Sequence, residues 1–179
     1  MWQHINGVML DMATIAKSSD AAIMNLAGVR FDVDENRIFD EFNINLNIKE
    51  AIEVYGLKSD RDTMDWWKTR KREELVAMTK NPVPYAEGIE QFLDWISAAK
   101  PKMIWTHGAH FDIPILTKSI AVTCDRRVPW WNNIGDSLTL YNAFSGAYEL
   151  DVNDTDLSIN RARMQAQSVI DFFNSFSGE

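Results

Sequence analysis

Three aspartates stand where a strand or the start of a helix could present a carboxylate to one shared site. Asp11 follows the apolar run Gly7–Leu10, and Asp112 begins a helix after the apolar run Met103–Thr106. Asp136 precedes another apolar stretch. Carboxylate oxygens are the ligands that Mg²⁺ and Mn²⁺ prefer, and metal-assisted phosphoryl transfer places such ions at the reacting oxygens. The three aspartates are therefore candidate metal ligands and catalytic residues, although aspartates are also common helix caps.

The elements that must position these carboxylates follow a mixed α/β pattern. Apolar and alternating segments predict three strands at the start, one ending at Asp11, one over Ala21–Phe31 and one over Arg37–Leu46. Helical periodicity follows, most clearly over Tyr85–Ala99 and in a closing helix over Asn160–Phe176. The predicted order β-β-β-α-α-β-α-α-α indicates a central sheet with an antiparallel three-stranded start.

Length and charge exclude several classes of protein. The chain has 179 residues, which is the size of one domain, and we expect a single domain over residues 1–179. Its net charge of −8 argues against a protein that coats nucleic acid by bulk charge. The single cysteine allows no intrachain disulfide, and no segment reads as a signal peptide or a membrane span. These features predict a cytoplasmic protein without a membrane partner.

Five segments, spaced along most of the chain, match in order the motifs of one enzyme family. Leu10–Thr14 is similar to an Asp-x-Glu-Thr opening, and Thr63–Trp67 to a Thr-x-x-Trp-Trp helix. Trp105–Leu116 is similar to a Trp-x-x-Gly-x-x-Phe-Asp-x-x-Ile-Leu block, and two later blocks correspond to Pro129–Leu140 and Asn160–Ala166. Together they resemble the phage-type 3′-to-5′ exonucleases of the DEDD, ribonuclease-H-like superfamily.

The resemblance implies a ribonuclease-H-like α/β fold with helices flanking a mixed sheet. It also implies hydrolysis by four carboxylates and one histidine, with Mg²⁺ or Mn²⁺ as cofactor. Asp11, Asp112 and Asp136 fall at expected acidic positions.

Three other expected residues are missing. The first-strand glutamate falls at Ala13, which offers no ligand, and the last-helix aspartate falls at Arg161, a permanent cation. The general-base histidine falls at about Asp156, whose ordinary pKa makes it a poor base at neutral pH. We therefore interpret the chain as a degenerate, catalytically inactive exonuclease-like protein of phage type. It would need no cofactor and would act in a host bacterial cytoplasm by binding a host protein or single-stranded nucleic acid.

The alternative is an active Mg²⁺- or Mn²⁺-dependent 3′-to-5′ exonuclease, on DNA or RNA, with an altered metal site. An acid just before the last helix, Asp151, Asp154 or Asp156, would then replace the missing ligand. His107 or His110, both beside Asp112 in sequence, would serve as ligand or base.

A basic cluster follows two adjacent tryptophans on a predicted helix. Because adjacent residues cannot share a helix face, one of Trp66 and Trp67 should pack inward and the other lie nearer the surface. Packing is the first expectation for tryptophan, but exposed aromatic rings also stack unpaired bases. The predicted contact residues for nucleic acid or a partner are Trp66, Lys68, Arg70, Lys71 and Arg72.

Overall fold

A five-stranded mixed sheet forms the centre of the computed structural model, which describes residues 6–130, 132–144 and 157–176. The strands lie in the order β3-β2-β1-β4-β5. Their bounds are β1 Asn6–Thr14, β2 Ile23–Asp32, β3 Arg37–Asn45, β4 Met103–Thr106 and β5 Ile134–Asp136. β1, β2 and β3 form an antiparallel meander, whereas β4 is parallel to β1 and β5 is parallel to β4. The predicted fold class is therefore confirmed.

Seven helices are present among the described residues. Their bounds are α1 Ile48–Glu53, α2 Arg61–Arg70, α3 Arg72–Thr79, α4 Tyr85–Ala99, α5 Ala109–Thr123, α6 Ser137–Ala143 and α7 Ser158–Ser175. The predicted element order was incomplete, since it lacked the short helix α1 and the three-residue strand β5. It also lacked the break at Lys71, whose backbone angles (φ −137°, ψ 48°) are not helical and separate α2 from α3.

Asp11 lies within the central strand β1. The predicted end of this strand at Asp11 is therefore wrong. The strand continues because Met12 and Ala13 are buried and still pair with β2, opposite Leu26 and Asn25. Asp11 itself lies opposite Ala27. A register shift follows between Ala13 and Thr14. Asp11 therefore lies within the central strand, with paired residues before and after it.

Helices cover both faces of the sheet, so β1 is buried on both sides. On one face, α7 packs through Ala162, Ala166, Val169 and Ile170 against a cluster that includes Met9. Side chains alternate between the two faces of a strand, so Asp11, two residues after Met9, points to the same face as Met9. Helices α4 and α5 contribute to the larger core on the opposite face. None of the helices in the described part of the chain is long and apolar enough to cross a bilayer.

Candidate active site

Asp11 is held by two side chains from α7. Arg161 donates from Nε to both carboxylate oxygens, each at 3.0 Å, and from Nη2 to Oδ1. Gln165 Nε2 donates to Oδ2 at 3.3 Å. Only 8% of Asp11 is exposed. Burial raises the pKa of Asp11, and the Arg161 guanidinium acts in the opposite direction.

The spacing of α7 explains why both donors reach the same carboxylate. Residues four apart in an α-helix lie on one face, so Arg161 and Gln165 project together toward the sheet. The fully buried alanines Ala162 and Ala166 let this helix approach closely. Arg161 Nη2 also donates to the Met12 carbonyl oxygen at 3.3 Å, so the guanidinium spans two residues of β1.

Asp112 lies in the first turn of α5 and is only 8% exposed. The chain enters this helix through Gly108, whose φ of +107° favours glycine because that region is strained for other residues. Burial, together with the neighbouring charge of Asp11, raises the pKa of Asp112 to about 8. This raised pKa favours the protonated form of the Asp112 carboxyl at neutral pH, as expected for an acid buried beside a second acid.

Asp136 ends β5 and caps α6. Its Oδ1 accepts hydrogen bonds from the backbone N–H groups of Gly108 at 2.9 Å and Leu138 at 3.2 Å, and its Oδ2 accepts one from Thr139 Oγ1 at 2.8 Å. Burial opposes ionisation, but these hydrogen bonds lower the pKa of Asp136 overall. Both oxygens are thus engaged in holding the turns that start α5 and α6. The catalytic role expected for Asp136 stays a prediction.

The two histidines beside Asp112 in sequence differ in their surroundings. His107 is half-buried, and its Nδ1 lies 3.0 Å from Ser137 Oγ. Because that hydroxyl donates to the Thr106 carbonyl oxygen at 3.1 Å, we assign Nδ1 as the protonated nitrogen and Nε2 as the acceptor. Burial lowers the pKa of His107, which favours this neutral form. His110 is exposed.

Of the remaining expected positions, the one that the structure describes offers no metal ligand. Ala13 is 2% exposed and offers a methyl group, and Asp151, Asp154 and Asp156 lie outside the described residues. Across the described ranges, no group of three or more His, Cys, Asp or Glu side chains is arranged to hold a metal ion. Because the oxygens of Asp11 are bonded to Arg161, a metal ion at this carboxylate would have to displace the guanidinium.

An open cleft of about 530 Å³, here called the Trp66 cleft, lies next to Asp11. The described residues that line it are Met12, Ala13, Thr14, Ala16, Lys17, Asp62, Thr63, Trp66, Trp67, Phe111 and Arg161. Trp67 is buried and donates from Nε1 to the Thr14 carbonyl oxygen at 2.9 Å, which fixes α2 against β1. Trp66 packs edge-on against Trp67, with ring centroids 4.9 Å apart, and remains 44% exposed. The expected division between the two tryptophans is therefore confirmed.

The cleft and the predicted contact set share only Trp66. Lys68, Arg70, Lys71 and Arg72 are not among the described lining residues, and Lys68 Nζ lies 4.0 Å from Asp65. Sequence reasoning missed Lys17, an exposed cation that joins Arg161 in the cleft. Its one signal was its place just after the first strand, three residues beyond Thr14.

The family comparison covers most of the chain. A model of the family described as "3'-5' exoribonuclease Rv2179c-like domain" matches residues 6–170. No curated protein matches the chain.

Solved structures with the same fold include the nuclease domain of a DEDDh family member and a second nuclease. The nuclease domain of 3'hExo, a DEDDh family member bound to rAMP, has a TM-score of 0.69 at 8% identity, covering 97% of this chain and 94% of that one. Cell-death related nuclease 4 has a TM-score of 0.65 at 12% identity, covering 96% and 64%. The Mg²⁺- and Mn²⁺-bound form of S. pombe Pop2p has a TM-score of 0.64 at 9% identity, covering 96% and 84%. At these identities the likeness concerns the fold.

Proposed function

The chain belongs to the 3′-5′ exoribonuclease Rv2179c-like domain family, and from that premise we propose that it binds single-stranded nucleic acid in the Trp66 cleft without hydrolysing it. The observation that carries the proposal is the lining of the cleft. An exposed indole and a lysine occur together there, beside the strand that holds Asp11. That pairing suits an unpaired nucleotide, because the ring stacks on the base and the cation meets the phosphate.

The rigid setting of Trp66 supports its use as a stacking surface. Its neighbour Trp67 is anchored to β1 by the hydrogen bond to Thr14, so the Trp66 ring is backed by a fixed edge. Phe111 contributes a second aromatic ring to the lining. We favour nucleic acid over a host protein because both a stacking ring and a cation are present. The rAMP bound to the nuclease domain of 3'hExo is consistent with this choice.

The loss of hydrolysis is proposed from the residues that would have to hold the metal ions. Two-metal hydrolysis needs carboxylates that hold the two metal ions, and these ions stabilise the attacking and the leaving oxygen. Ala13 has no oxygen to offer, and the position of the last-helix acid carries the guanidinium of Arg161. Asp11, the acid at the centre of the site, is bonded to that guanidinium. The single-stranded substrate would thus be held and not cut.

Fluorescence anisotropy with labelled single-stranded RNA and DNA of about ten nucleotides, in the presence of EDTA, tests the binding. Trp66→Ala should weaken binding by roughly 5- to 150-fold, because stacking contributes about 1–3 kcal/mol per base. Lys17→Gln should reduce the slope of log K against log salt by about 0.7, the value for one phosphate contact on a single strand.

Lys80→Gln is the matched control for Lys17→Gln, since Lys80 is exposed at the end of α3 and does not line the cleft. Binding that is unaffected by Trp66→Ala would refute the proposed site. If this protein bound neither oligonucleotide but retained another, unidentified protein, the host-protein interpretation would be favoured.

A nuclease assay with Mg²⁺ or Mn²⁺ tests the absence of hydrolysis. We expect 5′-labelled RNA and DNA to stay full length. Nucleotide release from the 3′ end that disappears in Asp11→Asn would establish the alternative, an active exonuclease with an altered site. Asp136→Asn is a useful comparison, because its carboxylate is already engaged by three hydrogen bonds.

A further inference from the structure

We infer that the Arg161 guanidinium takes the place of a divalent cation at Asp11, so that this domain neutralises and orders its site with its own side chain. The inference concerns metal exclusion and does not depend on what the Trp66 cleft binds. It rests on the contacts of Asp11, the charge of Arg161 and the position of Ala13.

The first step is the occupancy of the carboxylate. An ionised aspartate has about four lone-pair sites for donors or metal ions. Three donor nitrogens contact Asp11: Arg161 Nε is shared between both oxygens, Arg161 Nη2 donates to Oδ1 and Gln165 Nε2 donates to Oδ2. A metal ion would have to displace these donors before it could bind.

The second step is charge. The guanidinium is protonated at every pH that the fold experiences. Arg161 keeps 25% of its side chain exposed and Asp11 keeps 10%, so water screens their surroundings only in part. A divalent cation approaching Asp11 would meet this like charge at close range, with no second carboxylate from position 13 to offset it.

The third step is the pairing of the two altered positions. Ala13 on β1 and Arg161 on α7 are far apart in the sequence, but both line the Trp66 cleft. Relative to the acids that the family resemblance predicts, Ala13 removes one buried negative charge and Arg161 replaces another with a positive charge. The buried carboxylate of Asp11 then needs a counter-charge, and Arg161 supplies it. The two exchanges thus form one coupled replacement.

Paramagnetic broadening by Mn²⁺ in NMR spectra of the wild-type protein tests the inference. Mn²⁺ broadens nearby resonances, so the Arg161 Nε–H and the Gln165 side-chain amide report directly on metal at Asp11. We expect both signals to keep their intensity at equimolar Mn²⁺. Broadening of these signals that is abolished by Asp11→Asn would overturn the inference.

Variants separate the guanidinium from the missing carboxylate. Ala13→Glu alone, which restores an acid but keeps Arg161, should remain insensitive to Mn²⁺. The double variant Ala13→Glu/Arg161→Asp, confirmed as folded from its amide spectrum, should lose the Gln165 signal at equimolar Mn²⁺. It should also gain roughly 5–10 °C in Tm at a Mn²⁺ concentration about 100 times its Kd. Equal Mn²⁺ binding by the single and the double variant, or none by the folded double variant, would overturn the role given to Arg161.

Because these readouts involve no nucleic acid, their outcome is independent of the binding proposal. Loss of oligonucleotide binding would leave metal exclusion intact, and Mn²⁺ binding at Asp11 would leave the stacking role of Trp66 intact.

Discussion

Replacing Arg161 with methionine should destabilise the domain by about 3 kcal/mol. Methionine fills much of the volume of the arginine stem, so the change isolates the guanidinium. Unit charges about 4 Å apart attract by about 4 kcal/mol at an effective dielectric constant of about 20. Removing one partner of a buried pair costs about 3–5 kcal/mol, because the other charge stays behind. The 25% exposure of the Arg161 side chain places the expected cost at the lower end.

A double-mutant cycle measures the pairwise part of this energy. Urea unfolding at pH 7 of the wild type, Asp11→Asn, Arg161→Met and the double variant should give a coupling of about 2 kcal/mol, within the range for residues in contact. Unchanged m-values would show that the folded and unfolded states are comparable. For a chain of this size, the single Arg161→Met variant should melt about 6–12 °C below the wild type.

The exposed pair of Glu41 and Arg163 provides the control cycle. Arg163, also on α7, donates from Nε to Glu41 Oε1 at 2.6 Å, but 46% of Arg163 and 32% of Glu41 remain exposed. Exposed pairs contribute about 0–1 kcal/mol. A coupling energy between Asp11 and Arg161 no larger than that of the control pair would show that burial does not strengthen this ion pair. That result would refute the reasoning.

Three further changes test the packing and protonation of the site. Because the pKa of Asp112 is raised to about 8 in the folded protein from about 3.9 when unfolded, this group makes stability fall as the pH rises from about 4 to 8. Asp112→Asn should flatten that fall in a plot of Tm against pH, and an unchanged profile would contradict the protonated state. Gly135→Ala should cost about 1–3 kcal/mol in urea unfolding, because its Cβ would lie 2.4 Å from the Trp105 ring; wild-type stability would show that the ring moves freely. Trp67→Phe should cost about 1–3 kcal/mol, since it leaves the Thr14 carbonyl without its buried donor; a stability equal to the wild type would mean that water replaces that donor.

Local patterns were sufficient for much of the fold. The antiparallel start, α4 and α7 all followed from apolar periodicity, because burial on one or two faces imposes that period on the sequence. The predicted end of the first strand at Asp11 was wrong, and the break between α2 and α3 at Lys71 was missed. Both depend on pairing partners and backbone angles that no local pattern specifies. The strand β5 was missed since three residues are too few to carry a period.

The sequence by itself determined the family resemblance and the identity of the altered positions, since motif order and residue type are read along the chain. Only the tertiary structure decided that Arg161, 150 positions from Asp11, bonds to it. It alone placed Lys17 with Trp66 in one cleft and engaged Asp136 in capping two helices. The physical reason is that ion pairs and clefts form between side chains distant in sequence, and their geometry depends on how α7 packs across the sheet.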